Sequence, residues 1–209
     1  MVMRFHERIL LENRAWAGEM HRRNPRYFEH LKNGQSPEAF WISCSDSRVP
    51  VEQMCNSSPG DLFMHRNVAN LVATEDPAFM SALEYAVSIL EVGNIIVCGH
   101  EDCGGIGAAC STSPTGLKYL DTHIAPLVRH VERERETLAA EPDHASRVNA
   151  MVRLNIVAQV DRLTEMEIVR QARVSPVIVG LIYKVDTGAL EFVCEREVSD
   201  TALAAAANA

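Results

Sequence analysis

The chain has 209 residues, 47% of them hydrophobic, a length and composition that allow one sizeable buried core and exclude a fibrous or disordered protein. Its formal net charge of -8 argues against a nucleic-acid partner, because such a surface needs clustered lysine and arginine. Charged residues interrupt the apolar runs before they reach membrane-spanning length, so we expect no membrane partner and a cytoplasmic protein.

The first predicted elements are helical. Residues 1–33 contain no strand pattern, and the apolar side chains of this helical arm have no evident surface of their own, so we expect them to pack on a partner subunit. Within the arm, Asn24 is expected to cap a short helix that has Pro25 at its first position. Gly34 stands just past the expected end of that helix.

Short apolar runs then alternate with further helices. Asp76 before Pro77 predicts the start of a helix that closes near Gly93. Apolar residues at helical spacing predict a long amphipathic helix from Ser146 to Arg173. The apolar runs between the helices are typical of buried strands: Ala39 to Ser43, Leu62 to His65, Asn94 to Gly99, and Val177 to Tyr183.

The last predicted strand follows the turn Asp186-Thr187-Gly188, where Ala189 to Val193 alternates and indicates an edge strand joined by a hairpin. Strands that alternate with helices and are apolar almost throughout indicate a parallel sheet covered on both faces. The predicted fold class is therefore α/β, with a mostly parallel central sheet, an antiparallel edge strand, flanking helices and the helical N-terminal arm. Residues 1–209 are expected to form one domain with a frayed, alanine-rich tail at 201–209.

Metal-ligating side chains stand where two predicted strands end. Cys44 lies at the end of the first strand, and His100 and Cys103 lie at the end of the third. Because the carboxyl ends of parallel strands meet at one edge of a sheet, we expect these side chains to converge. Two thiolates and an imidazole favour zinc, and three protein ligands leave a fourth position open, as in catalytic zinc sites.

Two charged residues follow the first of these cysteines. Asp46 can accept a hydrogen bond from a zinc-bound water, or it can occupy the fourth ligand position itself. A bidentate pair with Arg48 would hold Asp46 off the metal and leave the position to water. The sequence leaves both states open.

The motifs in this order resemble the β-class carbonic anhydrases. They are Cys44-Ser45-Asp46-Ser47-Arg48, the block from Pro59 to Asn70, and Gly99-His100-Glu101-Asp102-Cys103-Gly104-Gly105. The resemblance implies zinc on Cys44, His100 and Cys103. It also implies N-terminal helices exchanged between subunits and a homodimer or homotetramer whose sites lie at the dimer interface.

The implied reaction is the reversible hydration of carbon dioxide to bicarbonate by a zinc-bound hydroxide that Asp46 orients. Gln35, Phe63 and Tyr85 match the family's substrate-pocket positions, with Gln35 and Tyr85 coming from opposite subunits. Two alternatives stay open on the same scaffold. One is hydrolysis of carbonyl sulfide or carbon disulfide, and the other is a non-catalytic bicarbonate or zinc sensor in which Asp46 permanently closes the metal site.

A subset of the family is regulated by bicarbonate in a non-catalytic pocket, and Trp41, Arg66 and Tyr183 match the residues of that pocket. Ser43 departs from the subset, which usually has glycine before the first zinc cysteine, and a side chain there is expected to obstruct the closed state. In that state Asp46 leaves its arginine and ligates zinc. We therefore expect activity to rise steeply with pH unless Ser43 destabilises the closed state.

Overall fold

The computed structural model describes residues 3–198, and a boundary between Ser36 and Pro37 divides them into two compact units. The first unit holds helices α1 (Phe5–Arg23) and α2 (Tyr27–Lys32). Trp16 of α1 meets Phe28 of α2 edge to face, with ring centroids 5.8 Å apart. The predicted frayed tail, 201–209, lies outside the described residues.

The start of α2 differs from the prediction, because Asn24 does not cap the helix at Pro25. The Asn24 side chain accepts a hydrogen bond from the backbone N–H of Arg26 at 3.0 Å, and its carbonyl accepts one from Tyr27 at 3.0 Å. These bonds form a turn that takes up Pro25 and Arg26 before the helix begins. Gly34 follows the helix end with a φ of 120°, a conformation that glycine tolerates.

The second unit is built on a sheet of five strands, β1 (Ala39–Cys44), β2 (Leu62–Asn67), β3 (Asn94–His100), β4 (Val177–Tyr183) and β5 (Leu190–Glu197). Their spatial order is β2-β1-β3-β4-β5. The first four strands are parallel, and β5 runs antiparallel to β4 after a turn at Gly188. The predicted α/β class and its antiparallel edge strand are confirmed.

The helices of this unit, within the described residues, are α3 (Val51–Met54), α4 (Pro77–Ser88), α5 (Gly104–Ala109), α6 (Lys118–Arg133), α7 (Arg135–Ala139), α8 (His144–Glu165) and α9 (Glu167–Arg170). A 3₁₀ turn, Val68–Asn70, follows β2. In the part of the chain that the structure describes, no helix is both long and apolar enough to cross a bilayer.

In two regions the helices of the structure end at other residues than the sequence predicted. Helix α4 starts as predicted, because Asp76 accepts a hydrogen bond from Ala78 at 2.9 Å, but it ends at Ser88 rather than near Gly93. The predicted helix from Ser146 to Arg173 is two helices. Met166 has an extended backbone (φ -72°, ψ 126°) and separates α8 from α9.

Strand β1 separates two apolar clusters, because successive side chains of a strand point to opposite faces. Phe40, Ile42 and Cys44 belong to the larger cluster, which also contains the buried side of α8, and we call this side the α8 face. Trp41 belongs to a smaller cluster together with Tyr183, and we call that side the Trp41 face.

Helix α8 approaches the sheet closely because glycines face it. An added Cβ would lie 2.8 Å from the Ile156 side chain at Gly99 and 2.6 Å from it at Gly180. Neither strand position has room for a larger residue, so β3 and β4 together fix the distance between α8 and the sheet.

Candidate metal centre

The three predicted metal ligands lie at one edge of the sheet. Cys44 ends β1, His100 ends the neighbouring parallel strand β3, and Cys103 stands immediately before α5. All three are buried, and their ligand atoms lie within 4.8 Å of one another. Parallel pairing of the strands therefore brings together two motifs that are 56 positions apart in the sequence, from Cys44 to His100.

The donor set fits a zinc ion. The Sγ atoms of Cys44 and Cys103 are 3.9 Å apart, and two sulfurs each ~2.3 Å from a tetrahedral zinc would be about 3.8 Å apart. Nδ1 of His100 lies 2.8 Å from the carbonyl oxygen of Glu101 and donates to it, which leaves the lone pair on Nε2. Nε2 is buried and has no hydrogen-bond partner among residues 3–198, as expected of a metal ligand.

The environment of the two thiols favours one negative charge on sulfur. A hydrogen bond from the Cys103 thiol lowers the pKa of Cys44, and the same contact raises the pKa of Cys103. Backbone N–H groups of Asp46 and Ala69 lower the pKa of Cys44 further. Burial lowers the pKa of His100, but the adjacent Cys44 sulfur and neighbouring groups raise it more. Such a site attracts a cation.

Asp46 is held by Arg48 in a bidentate pair. Arg48 donates from Nε to Oδ1 at 3.0 Å and from Nη2 to Oδ2 at 2.8 Å. The guanidinium keeps the pKa of Asp46 well below its usual range. Oδ2 also lies 3.8 Å from Nε2 of His100, so the carboxylate stands beside the ligand cluster. Of the two states that the sequence leaves open, the structure has the one in which Asp46 pairs with arginine.

The predicted substrate-pocket residues are brought together in part. Phe63 of β2 and Tyr85 of α4 contact each other, with ring centroids 5.7 Å apart. Tyr85 keeps 44% of its surface exposed. Gln35 is an exposed residue of the first unit. Substrate binding by these three residues stays a prediction.

The predicted regulatory residues lie on three strands: Trp41 on β1, Arg66 on the neighbouring β2, and Tyr183 at the end of β4. Trp41 and Tyr183 are buried together on the Trp41 face. Two polar atoms there, Nε1 of Trp41 and Oγ of Ser43, are buried without a hydrogen-bond partner in the described part of the chain. Arg66 donates from Nε and Nη2 to the carbonyl of Cys44 at 2.9 and 2.7 Å, and from Nη2 to the carbonyl of Asp46 at 2.7 Å. A bicarbonate site at these residues stays a prediction.

Three amide side chains that contact the site's loops escape the motif analysis. Asn149, Asn155 and Gln159 lie on α8 and hydrogen-bond to the backbone of segments near the predicted metal ligands. The available signal is weak. Asn155 and Gln159 are four positions apart and so share one face of α8, yet amides on an amphipathic helix are ordinarily read as solvated.

Comparison with known proteins bears on the identity of this site. The family model described as carbonic anhydrase matches residues 39–190. A carbonic anhydrase of Emericella nidulans is 37% identical over 190 residues, which cover 89% of this chain and 82% of that protein. A tetrameric β-carbonic anhydrase of Sordaria macrospora superimposes with a TM-score of 0.88 at 36% identity, covering 91% of this chain and 98% of that one. The β-carbonic anhydrase CafA of Aspergillus fumigatus superimposes with a TM-score of 0.83 at 32% identity, covering 97% and 95%.

Proposed function

Because the chain belongs to the β-class carbonic anhydrases, we propose that it hydrates carbon dioxide reversibly to bicarbonate with a zinc ion held by Cys44, His100 and Cys103. The observation that carries the proposal is the convergence of two thiols and an unpartnered imidazole nitrogen at adjacent strand ends, within the residues described. Zinc held at this position would supply a Lewis acid that lowers the pKa of a water molecule and makes it a better nucleophile.

Asp46 would orient that water. Its carboxylate stands beside the ligand cluster, 3.8 Å from Nε2 of His100, and both of its oxygens pair with Arg48. The lowered pKa keeps Asp46 ionised, so the carboxylate accepts a hydrogen bond and does not donate one. Arg48 thus acts on the reaction through Asp46, by fixing its charge and its direction.

Carbon dioxide is small and apolar, and the ring pair of Phe63 and Tyr85 offers an apolar surface for it. We propose that these rings line the substrate pocket. Gln35, from a second copy of the chain, would add an amide that can hydrogen-bond an oxygen of the substrate or of bicarbonate.

The proposed assembly is a homodimer or homotetramer. None of the α1 residues, all of which the structure describes, is buried, and Phe5, Leu10 and Leu11 expose 69%, 56% and 56% of their surface. Apolar side chains on one exposed helix favour packing against another copy of the chain. The Sordaria relative is tetrameric.

The proposed location is the cytoplasm. All six cysteines lie within residues 3–198 and are free. Two of them are proposed zinc ligands, and these must stay reduced to bind the metal. A reducing compartment therefore suits the site.

The Trp41 face is the proposed site of bicarbonate regulation, with Trp41, Arg66 and Tyr183 around the anion. The Trp41 N–H is a buried donor without a partner in the described residues, and an anion would satisfy it. To bind the anion, Arg66 would turn from the carbonyls of Cys44 and Asp46, which would loosen the segment that carries Asp46. Asp46 could then leave Arg48 and become the fourth metal ligand.

Trp41→Phe tests this regulation, since it keeps an aromatic ring and removes the N–H. We expect added bicarbonate, relative to equal chloride, to inhibit the wild type more strongly at low pH and to inhibit Trp41→Phe less. Equal inhibition of both proteins would count against the pocket. If Ser43 obstructs the closed state, Ser43→Gly will strengthen the inhibition.

Stopped-flow hydration of carbon dioxide by the zinc-loaded chain tests the proposed activity. We expect turnover by the wild type, a loss of about 100-fold or more in Asp46→Asn, and no loss in Asp186→Asn, which alters an exposed turn. Hydrolysis of carbonyl sulfide or carbon disulfide without carbon dioxide hydration would favour the alternative hydrolase. A zinc-loaded chain that turns over none of the three substrates would favour the sensor.

A further inference from the structure

Two backbone segments beside the proposed metal ligands are left-handed at residues other than glycine. Ala69 (φ 64°) and Asn70 (φ 46°) form the turn after β2, and Asp102 (φ 53°) stands between His100 and Cys103. Residues with a Cβ seldom adopt this conformation, and it persists where surrounding contacts impose it. The contacts that impose it here include side chains from one helix, α8.

The first turn is held by a pair of buried amides. Nδ2 of Asn155 donates to the carbonyl of Ala69 at 3.1 Å, and Oε1 of Gln159 accepts from the N–H of Val72 at 2.8 Å. The two amides are also joined, since Nε2 of Gln159 donates to Oδ1 of Asn155 at 2.9 Å. Asn155 is 1% exposed and Gln159 8%. Hydrogen bonds among groups this buried are expected to fix the turn rigidly.

The second turn is held by a third amide of α8. Oδ1 of Asn149 accepts from the N–H of Asp102 at 2.9 Å, and Nη2 of Arg48 donates to the carbonyl of Asp102 at 3.2 Å. Asp102, which directly precedes the ligand Cys103, is therefore hydrogen-bonded through both its N–H and its carbonyl. One of its partners is the arginine that holds Asp46.

Both turns contact the ligand residues or their neighbours. The N–H of Ser45, the residue after Cys44, donates to the carbonyl of Asn67, which directly precedes the first turn, at 3.0 Å. The same turn is seated on α5, since an added Cβ at Gly105 would lie 2.5 Å from Val68 and 3.2 Å from the Cβ of Ala69. Gly105 is two residues after Cys103. The turn therefore contacts the segment that follows Cys103 as well as the segment that follows Cys44.

On the basis of the proposed zinc site, we propose that Asn149, Asn155 and Gln159 are positioning residues. They set the geometry in which Cys44, His100 and Cys103 bind zinc. Asn155 and Gln159 set the turn beside Cys44, and Asn149 sets the turn between the other two ligands. Helix α8 can serve as their common support because Gly99 and Gly180 seat it directly on the strands.

The test measures zinc affinity by competition with a chelator in Asn149→Ala, Asn155→Ala and Gln159→Ala. Two variants serve as controls. Val160→Ala shortens a fully buried side chain on α8 and reports lost stability alone, and Asn94→Ala removes a bond from an amide to the Glu38 carbonyl at the start of β3. We expect each amide variant to bind zinc about 10-fold more weakly and both controls to stay within about 2-fold of the wild type.

A spectroscopic readout separates ligand geometry from stability. In the cobalt-substituted protein, the thiolate-to-metal charge-transfer band depends on the distances and angles between the metal and the two sulfurs. We expect this band to shift or weaken in the amide variants and to be unchanged in Val160→Ala. Amide variants that match Val160→Ala in zinc affinity and in the cobalt band would overturn the proposal.

Three further outcomes also bear on the proposal. If Asn155→Ala does not fold, Asn149→Ala decides, because Asn149 is only half-buried and its loss leaves the core intact. A wild type that binds no zinc would overturn both this proposal and the proposed function. A wild type that binds zinc and hydrates carbon dioxide, with amide variants that bind zinc equally well, would overturn this proposal alone.

Discussion

The α8 face and the Trp41 face of the sheet differ in how their buried polar side chains are hydrogen-bonded. On the α8 face, Asn155 and Gln159 bond to each other and to backbone. On the Trp41 face, Nε1 of Trp41 and Oγ of Ser43 have no partner within residues 3–198. An unpartnered buried group costs about 1–3 kcal/mol of stability. Asn155 and Gln159 are therefore placed to hold a fixed geometry, whereas the Trp41 N–H and the Ser43 hydroxyl stay available for a ligand.

The largest expected effect contrasts a buried cysteine on each face. Cys44→Ala should lower the zinc content from one per chain to less than about one tenth and abolish carbon dioxide hydration, because a ligand is lost. Cys98 lies on the Trp41 face, and burial raises the pKa of its thiol, so it stays a neutral apolar group. Cys98→Ala should keep both zinc and activity. Metal analysis of the purified variants checks this, and full zinc occupancy in Cys44→Ala would refute the assignment.

The next effect tests how tightly α8 is seated. Gly180→Ala would place a Cβ 2.6 Å from the Ile156 side chain and 2.8 Å from Sγ of Cys194, so we expect a loss of about 1–3 kcal/mol in the free energy of unfolding. Gly93→Ala is the control, because its added Cβ meets no described atom within 4 Å, and it should change stability by less than about 0.5 kcal/mol. Urea denaturation measures both, and equal stabilities would show that the helix is not held this closely.

Deleting a buried polar group should raise the free energy of unfolding on the Trp41 face and lower it on the α8 face. Ser43→Ala removes a buried hydroxyl that has no partner in the described chain and should raise the free energy of unfolding by about 1 kcal/mol. Asn155→Ala leaves the carbonyl of Ala69 without its donor and should lower it by about 1–3 kcal/mol. Denaturant titrations of both variants give the signs. A destabilising Ser43→Ala would mean that the hydroxyl has a partner in solution.

The smallest effect concerns pH. His65 packs edge-on against Phe79, with ring centroids 5.3 Å apart, and burial lowers its pKa in the folded chain. The unfolded histidine has a pKa of ~6.5, so just below that pH the unfolded chain binds more protons. This contribution to stability is therefore present above about pH 6.5 and is lost as the pH falls through the lower folded pKa. His65→Gln should make stability fall less between pH 7 and pH 5, whereas His144→Gln, at an exposed histidine, should leave the slope unchanged. Identical slopes of stability against pH in the wild type and both variants would show that His65 does not contribute to the pH dependence.

Local patterns predicted the sheet and the meeting of the ligands, because apolar runs mark buried strands and strand ends meet at one edge of a parallel sheet. They did not predict the break at Met166, where a good helix former adopts an extended backbone and packs against the core. Nor did they indicate Asn155, whose partner Ala69 lies 86 positions away in the sequence. Helix breaks and amide contacts of this kind depend on tertiary packing. The roles assigned to Gln35, Trp41 and Arg66 stay predictions.

X-ray absorption at the zinc edge of the zinc-loaded wild type tests the central claim most directly, because it counts the atoms bound to the metal. Cys44, His100 and Cys103 predict two sulfurs at ~2.3 Å, with nitrogen or oxygen at about 2.0–2.1 Å completing the set. A zinc ion with no sulfur neighbour, or with four, would contradict the account.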